Sequence, residues 1–154
     1  MSSSDSLRRI SQSKKNLNKY DPVRFHPPGR DFHGKLIGIE DVPEARGDKM
    51  CQVAMVKLKA AVRTIGDHKQ RITVNVSIEG IKIIDEKTEE VIHRHIVQRI
   101  SFIARDVSDA HAFGYVYGCR DGRHQFYGIK TEKVAEGIVP SLRDLFQVVF
   151  SSLI

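Results

Sequence analysis

Five basic side chains have the chemistry to bind a multiply charged phosphate group. They are Lys35, Arg46, His68, Lys69 and Arg71. Lysine and arginine bind phosphate oxygens through charge-assisted hydrogen bonds, and several converging cations hold a phosphorylated head group. The five side chains converge on one rim only if the first two strands of the protein are neighbours. Scattered surface charge is the alternative, and the pattern by itself favours that alternative.

A second group of residues has the chemistry to capture an extended peptide. The segment Ile100 to Ala104 is predicted to be a strand that precedes an irregular polar loop, and an aromatic-rich helix closes the chain. An exposed strand edge beside an apolar helix face captures a peptide through main-chain hydrogen bonds, while side-chain pockets supply specificity. The alternative is that aromatic residues such as Phe146 belong to the core, which the pattern alone favours.

Signatures of enzymes and metal centres are mostly missing from the sequence. It has no Gly-x-x-x-x-Gly-Lys-Ser/Thr loop, no Gly-x-Gly-x-x-Gly opening a helix and no Gly-x-Ser-x-Gly elbow. His93 and His95 would share one face of a strand, but without a third ligand nearby we expect a solvated strand face. Cys51 and Cys119 form no Cys-x-x-Cys pair, which favours a reducing compartment. We therefore predict a protein without catalytic residues, metal or cofactor.

Positive charge is concentrated at the amino-terminal end. The 154 residues include 25 Lys and Arg and 19 Asp and Glu, for a formal net charge of +6. Residues 1–35 hold eight of these basic residues and three of the acidic ones, which leaves seventeen and sixteen in the rest. A basic total makes a nucleic-acid-binding protein one alternative. The uneven distribution instead predicts a flexible basic leader and Pro/Gly linker over residues 1–34, followed by one domain over residues 35–154.

The elements that would position these side chains follow from the apolar spacing. Leu36 to Ile39 open a first strand, and the spacing from Asp48 to Arg63 predicts an amphipathic helix. Helical spacing returns from Val134 to Leu153, with Pro140 predicted to kink this helix or to delay its start. Six strands are predicted between the two helices, at residues 72–78, 81–84, 91–96, 100–104, 113–119 and 125–129. This order favours an antiparallel sandwich or barrel covered by the terminal helix.

Six segments of the sequence, in order and without large gaps, match one known domain. They are Lys35–Ile39, Ala45–Lys49, His68–Ile72, Gly80–Ile83 with Asp85–Thr88, Ala112–Val116 and Leu142–Gln147. These segments resemble the phosphotyrosine-binding (PTB) domain of the Disabled family of endocytic and signalling adaptor proteins. The resemblance implies an α+β, pleckstrin-homology-like fold, in which a seven-stranded antiparallel β-sandwich of two near-orthogonal sheets is capped by a C-terminal α-helix. An extra helix is implied after the first strand.

The resemblance also implies a function. Such domains bind Asn-Pro-x-Tyr motifs in cytoplasmic tails of lipoprotein-receptor or amyloid-precursor-type membrane proteins, largely independently of tyrosine phosphorylation. They bind phosphatidylinositol 4,5-bisphosphate at a separate basic site. We therefore expect a monomeric cytoplasmic adaptor, peripheral at the plasma membrane and endocytic sites, that forms part of a longer protein. A phosphotyrosine-dependent peptide reader and a basic nucleic-acid-binding protein are the alternatives.

Matching the segments implies roles for individual residues. The implied peptide-binding residues are Ser101, Phe102, Ile103, Gly118, His124 and Phe146. The ligand would pair antiparallel with strand 100–104, with Gly118 and His124 bordering the tyrosine pocket and Phe146 packing on residues before the Asn-Pro turn. The implied phosphoinositide-binding residues are Lys35, Arg46, His68 and Lys69, with Arg71 beside them. Arg120 and Arg123 adjoin the tyrosine pocket and have the chemistry to bind a phosphate, so the sequence leaves phosphate dependence open.

Overall fold

Seven strands and two helices make up the described part of the chain, which comprises residues 28–65, 70–132 and 138–151 of a computed structural model. In chain order they are β1 (Arg30–Val42), α1 (Asp48–Ile65), β2 (Gln70–Ser77), β3 (Gly80–Asp85), β4 (Val91–Ile96), β5 (Ile100–Arg105), β6 (Ala112–Gly118), β7 (His124–Thr131) and α2 (Ile138–Ser151). A 3-10 helix, Val97–Arg99, connects β4 to β5. The predicted order of strand, helix, six strands and helix is confirmed.

All seven strands belong to one antiparallel sheet with the order β4-β3-β2-β1-β7-β6-β5. The 13-residue strand β1 is shared, because its first part pairs with β2 and its second part with β7 around an irregularity between Leu36 and Gly38. A bulge of this kind bends and twists a strand. The two predicted sheets are therefore two halves of one continuous sheet, joined through β1. Strands β4 and β5 are its two edges.

Strand β1 begins at Arg30, inside the segment that the sequence predicts to be a linker. Residues 30–34 pair with residues 72–76 of β2, and the side chain of Phe32 packs on the core. Gly34 contributed to the linker prediction, but it lies within the strand, and a Cβ there would be 2.3 Å from the carbonyl oxygen of Lys130. Residues 30–34, which the sequence assigns to the linker, are therefore part of β1, where this glycine permits a close strand contact.

The main core lies between the two halves of the sheet and under α2. It contains buried residues of five strands together with four side chains of the helix, Ile138, Val139, Leu142 and Leu145. Pro140 lies in the first turn of α2, where the missing N–H of proline leaves no helical hydrogen bond unmade. Which of the two predicted effects Pro140 has stays a prediction, because it depends on the residues before Ile138. The predicted helical residues 134–137 and 152–153 lie outside the described residues.

Helix α1 packs on the outer face of the sheet, over a row of small residues. The row crosses β5, β6, β7 and β1 in register, through Ala104, Gly114, Gly128 and Gly38. A Cβ at Gly38 would lie 2.9 Å from Cδ2 of Leu58, so the apolar face of α1 reaches the sheet backbone here. Cys51 is buried on the same helix face, and burial raises the pKa of its thiol to about 11. This cysteine therefore behaves as an apolar core residue.

The two histidines of β4 face the interior. His95 is only 4% exposed, and its Nδ1 lies 2.8 Å from the hydroxyl of Tyr115. The rings of Tyr117 and Tyr127 lie against it, with centroids 4.1 and 4.4 Å away. Burial, together with the neighbouring His93, lowers the pKa of His95 to about 4. The solvated strand face predicted for these histidines is wrong, because tyrosines of β6 and β7 cover this side of β4.

Candidate functional site

The outer edge of β5 is open, since β5 pairs only with β6 among the described strands. The edge lines a groove of about 930 Å³, together with residues of α2 and of the loop that leads into α1. Four residues predicted to bind peptide line this groove: Ser101, Phe102, Ile103 and Phe146. The structure thus brings together an open strand edge and an aromatic side chain of the terminal helix.

Backbone groups along β5 alternate between the neighbouring strand β6 and the groove. The N–H of Asp106, directly after β5, donates to the first residue of β6 at 3.0 Å. Because successive strand residues alternate, the N–H and C=O groups of Arg105 and Ile103 face the groove. The Arg105 carbonyl already accepts a hydrogen bond from Gln52 Nε2 at 2.7 Å, and Gln52 Oε1 accepts one from the N–H of Val107 at 3.1 Å. Within the described residues, Ile103 is thus the strand position best placed to pair with an added strand.

Ser101 occupies the irregularity of β5, between the paired residues Ile100 and Phe102. Its hydroxyl donates a hydrogen bond to the carbonyl of Ala45 at 2.6 Å. This bond ties the loop before α1 to the edge strand. The hydroxyl proton is therefore engaged inside the protein, and a ligand contact by Ser101 falls to its backbone.

Arg46 lies in the same loop and lines the groove, with its guanidinium carbon 5.7 Å from the centre of the Phe102 ring. The sequence instead groups Arg46 with Lys35 and Arg71 at a phosphoinositide site. Those two residues lie on β1 and β2, and β7 and β6 separate these strands from β5 in the sheet. The structure thus places Arg46 beside Phe102 at the groove, and the phosphoinositide-binding role of Arg46 stays a prediction.

Lys35 has a basic neighbour on each side in the sheet. It is paired with Arg71 of β2 and with Lys130 of β7, and residues directly opposite each other project from the same face. Lys130 was not predicted, because only the pairing of β1 with β7 reveals it. Its Nζ lies 3.1 Å from the carboxylate of Asp109, whereas Lys35 and Arg71 form no ion pair within the described residues. The two other residues predicted here, His68 and Lys69, lie outside the described residues.

Gly118 and His124 are cross-strand partners at the end of β6 and the start of β7. They lie next to the start of β5, where Arg99 donates from Nη1 to the Gly118 carbonyl at 3.3 Å. A Cβ on Gly118 would lie 4.0 Å from Nδ1 of His124. That nitrogen is buried and has no hydrogen-bond partner among the described residues. The two predicted pocket residues are therefore together, at one end of the groove-lining strand.

The hairpin between β6 and β7 contains Arg120 and Arg123, the two arginines with the chemistry to bind a phosphate. It turns at Gly122, whose φ of +91° favours glycine. Arg123 contacts two carboxylates: its Nε lies 2.7 Å from Asp121 and its Nη1 lies 3.7 Å from Asp41. The hydrogen bond to Asp121 raises the pKa of Arg123, and the N–H groups of Arg123 lower the pKa of Asp121. Arg123 is thus neutralised, whereas the exposed Arg120 forms no ion pair with the described residues.

Two further arginines line the groove and were not predicted. Arg143 lies three residues before Phe146 on α2, so the two side chains project from the same helix face. Arg105 ends β5 and shares one side of the strand with Ile103. The spacing of Arg143 and Phe146 was the available signal in the sequence. This spacing identifies Arg143 as a groove residue only once it is known which face of α2 borders the groove.

An antiparallel sheet folded around a carboxyl-terminal helix, with an open edge beside that helix, is a pleckstrin-homology-like fold. The chain belongs to the phosphotyrosine interaction domain (PTB/PID) family, whose sequence model matches residues 32–154. The resemblance predicted from six sequence segments is therefore confirmed. This is a family of interaction domains and not a class of enzymes.

Known proteins show how far the similarity extends. Protein disabled of Drosophila melanogaster is 53% identical over 133 residues, which are 86% of this chain and 6% of that protein. The human PTB domain-containing engulfment adapter protein 1 is 28% identical over 149 residues, or 93% of this chain and 48% of that protein. The chain thus spans less than half of either relative. The solution structure of the C-terminal phosphotyrosine interaction domain of mouse APBB2 shares the fold, with a TM-score of 0.69 and 19% identity over 77% of this chain and 85% of that one.

Two other features are missing from the described residues, a membrane-spanning helix and a cluster of metal ligands. Neither helix there combines the length and the apolar character needed to cross a membrane. No three His, Cys, Asp or Glu side chains of residues 28–65, 70–132 and 138–151 come close enough together to hold a metal ion. The groove along β5 and the basic row around Lys35 are therefore the candidate sites to be interpreted.

Proposed function

We propose that this chain is an adaptor module that binds Asn-Pro-x-Tyr motifs in the cytoplasmic tails of lipoprotein-receptor or amyloid-precursor-type membrane proteins. The observation that carries the proposal is the open edge of β5, where the backbone of Ile103 faces a groove lined by Phe146. A peptide added antiparallel to β5 pairs with this backbone and buries its apolar side chains against the helix. Membership of the PTB/PID family supports this interpretation.

The direction of the added strand assigns each part of the motif to a region. A peptide antiparallel to β5 enters beside Arg105 and leaves beside Ile100, so the residues before the Asn-Pro turn lie along the groove and pack on Phe146. The turn and the tyrosine follow at Gly118 and His124.

Charge near the tyrosine end supports binding that is largely independent of phosphorylation. The carboxylates of Asp41 and Asp121 already neutralise Arg123. A phosphate at this end of the groove meets these two carboxylates, and their repulsion offsets the attraction of Arg120. The unpaired Arg120 is the observation that favours the second candidate function, a phosphotyrosine-dependent reader.

A second binding function is proposed for the row of cations on β2, β1 and β7. Lys35 and Arg71 are exposed and project from one face, and neither forms an ion pair with a described residue. This arrangement suits the phosphates of phosphatidylinositol 4,5-bisphosphate, and we retain His68 and Lys69 as further ligands of the same lipid. Binding of this lipid would hold a monomeric module peripherally on the cytoplasmic side of the plasma membrane, at endocytic sites.

Two binding assays on the same variants test both parts of the proposal. Phe146→Ala lowers the affinity for an unphosphorylated Asn-Pro-x-Tyr peptide about tenfold, because an aromatic anchor is lost. It leaves binding to vesicles that contain phosphatidylinositol 4,5-bisphosphate unchanged. The double variant Lys35→Ala/Arg71→Ala is the matched control, with weakened vesicle binding and unchanged peptide binding.

Four outcomes contradict the proposal. Full peptide affinity in Phe146→Ala overturns the groove assignment, and full vesicle binding in Lys35→Ala/Arg71→Ala overturns the lipid site. A peptide whose backbone amide opposite Ile103 is N-methylated should lose affinity, and equal binding of that peptide excludes strand addition at β5. Much tighter binding of the tyrosine-phosphorylated peptide instead establishes the phosphotyrosine-dependent reader.

A further inference from the structure

The groove along β5 has an excess of positive charge among its described residues, and arginines lie on both of its walls. Arg105 and Arg143 lie on the α2 side, and Arg46 lies on the α1 side above the ring of Phe102. All three arginines are exposed. The guanidinium groups of these three arginines are therefore accessible to a ligand in the groove.

None of these three arginines is neutralised within the described residues. The ion pairs there belong to other cations, namely Lys59, Lys130 and Arg123. The groove also contains one carboxylate, that of Asp48, and its Oδ1 accepts a hydrogen bond from Gln52 at 3.2 Å. The nearby Asp106 is bound to Lys59 and to the hydroxyl of Ser108. Positive charge therefore predominates in this groove.

The directions of the side chains on β5 and α2 explain why Arg105 and Arg143 both lie at the end of the groove. Ile103 packs in the core with residues of α2, and Arg105 projects from the same side of the strand. Arg143 projects from α2 on the face that carries Phe146. Both guanidinium groups are thus available beside the end of β5 where the ligand enters.

Backbone pairing with a ligand is restricted at this end to the N–H of Arg105, within the described residues. Gln52 already binds the carbonyl of Arg105 and the N–H of Val107. Ligand residues that pass Arg105 therefore contact the protein through their side chains. The charge of those side chains decides whether the contact attracts or repels.

We infer that the groove selects ligands with acidic side chains about five and six positions before the asparagine of the motif. This inference rests on the proposed peptide binding and adds a specificity to it. The distance follows from strand pairing, since Ile100 to Arg105 span six residues and an antiparallel ligand matches them nearly one for one. Carboxylates at these two ligand positions lie within reach of Arg105 and Arg143. Carboxylates at ligand positions nearer to the asparagine approach Arg46.

Three peptides that differ only at these two positions provide the first test. They carry Glu-Glu, Gln-Gln or Lys-Lys before the same Asn-Pro-x-Tyr core, and a fourth peptide has Glu-Glu after the tyrosine as a matched control. The expected affinity for the Glu-Glu peptide is about fivefold higher than for Gln-Gln, as for exposed ion pairs, and the Lys-Lys peptide is weakest. The advantage decreases at 1 M salt, because the screening length falls to about 3 Å.

Variants of the protein provide the second test. Arg105→Gln/Arg143→Gln makes the affinities for the Glu-Glu and Gln-Gln peptides equal. Arg105→Glu/Arg143→Glu reverses the preference toward Lys-Lys. The control Arg63→Gln/Arg94→Gln removes the same charge from exposed residues of α1 and β4 and keeps the preference.

The outcomes separate this inference from the proposed function. Equal affinity for the Glu-Glu and Gln-Gln peptides at low salt overturns the inference and leaves peptide binding intact. An equal loss of preference in Arg63→Gln/Arg94→Gln also overturns it, because net charge then explains the effect. If no peptide with the Asn-Pro-x-Tyr core binds, the proposed function fails and the inference fails with it. The salt series on the unaltered protein gives an answer even if a variant does not fold.

Discussion

The hydroxyl of Ser101 donates a hydrogen bond to the carbonyl oxygen of Ala45 at 2.6 Å, across the space between the edge strand β5 and the loop before α1. Ala45 directly precedes Arg46, whose guanidinium lies over Phe102. This one side-chain hydrogen bond therefore holds the loop with Arg46, on the α1 side of the groove, against β5. The serine sits at the irregularity of β5, where the strand departs from regular pairing.

Removal of this hydroxyl should affect both stability and binding. We expect Ser101→Ala to lower the free energy of unfolding by about 1 kcal/mol, because the Ala45 carbonyl loses its donor. Peptide affinity should also fall, since the loop with Arg46 is no longer tied to β5. Urea denaturation and peptide titration measure the two effects. Ser108→Ala is the control: it removes a hydroxyl that binds Asp106, so it should leave peptide affinity unchanged.

Burial of His95 predicts a loss of stability on mild acidification. Its pKa is about 4 in the folded chain, below the ordinary histidine value of about 6.5, so the unfolded chain binds the proton more readily. The free energy of unfolding therefore falls by about 3 kcal/mol as the pH is lowered from about 6.5 to 4. His93, whose pKa is lowered by burial, acts in the same direction. Denaturant unfolding at several pH values measures the slope.

Two variants identify the group responsible for that slope. His95→Gln keeps a hydrogen-bonding side chain beside Tyr115 and should flatten the pH dependence between 6.5 and 4. His33→Gln changes an exposed histidine of β1 and should leave the dependence as it is. A flat profile in the unaltered protein, or an unchanged slope in His95→Gln, is incompatible with this assignment.

The row of small residues under α1 predicts that alanine substitutions at two glycines of one hairpin lower the stability by very different amounts. A Cβ at Gly114 would lie 2.1 Å from Cζ of Phe126 and 2.8 Å from the carbonyl oxygen of Tyr127. Gly114→Ala should therefore cost about 3 kcal/mol through overpacking. Gly122 has open space around it but a φ of +91°, so Gly122→Ala should cost about 1 kcal/mol through backbone strain. Thermal or urea unfolding ranks the two, and the reverse order would contradict the packing described.

Release of Arg123 from its carboxylates should create a preference for phosphate. In Asp41→Asn/Asp121→Asn the guanidinium has no charged partner left among the described residues, so it can bind a phosphate. We expect the ratio of affinities for phosphorylated and unphosphorylated peptide to rise about fivefold over that of the unaltered protein. The control Glu79→Gln/Glu86→Gln removes two exposed charges elsewhere. A ratio that is the same in all three proteins rules out neutralisation of Arg123 as the cause.

Local patterns in the sequence predicted the elements well. Strict alternation between Ile72 and Ile78 identified β2, and helical spacing identified α1 within two residues of its observed end. These patterns work because burial of one face is a local property of a strand or a helix. The start of β1 escaped prediction because Gly34 meets Lys130, a residue far away in the sequence.

Positions that depend on strand order were harder to predict. Ile103 and Phe146 come together because β5 is an edge beside α2, and the family resemblance supplied that information. The packing of Arg46 on Phe102 was not predicted, because nothing in its neighbourhood in the sequence shows it. His95 was expected in solvent because β4 has no apolar alternation, and the tyrosines that cover it belong to β6 and β7.

The side-chain amide of Gln52 ends the free edge of β5 after a few residues, because it occupies the carbonyl of Arg105 and the N–H of Val107. An unprotected sheet edge recruits any extended chain, including the edge of another copy, and this leads to aggregation. Because few backbone groups of β5 remain open, main-chain hydrogen bonds alone are too weak to hold an extended chain of arbitrary sequence. Under the proposed function, a tail therefore needs a turn and fitting side chains as well as main-chain pairing to remain bound.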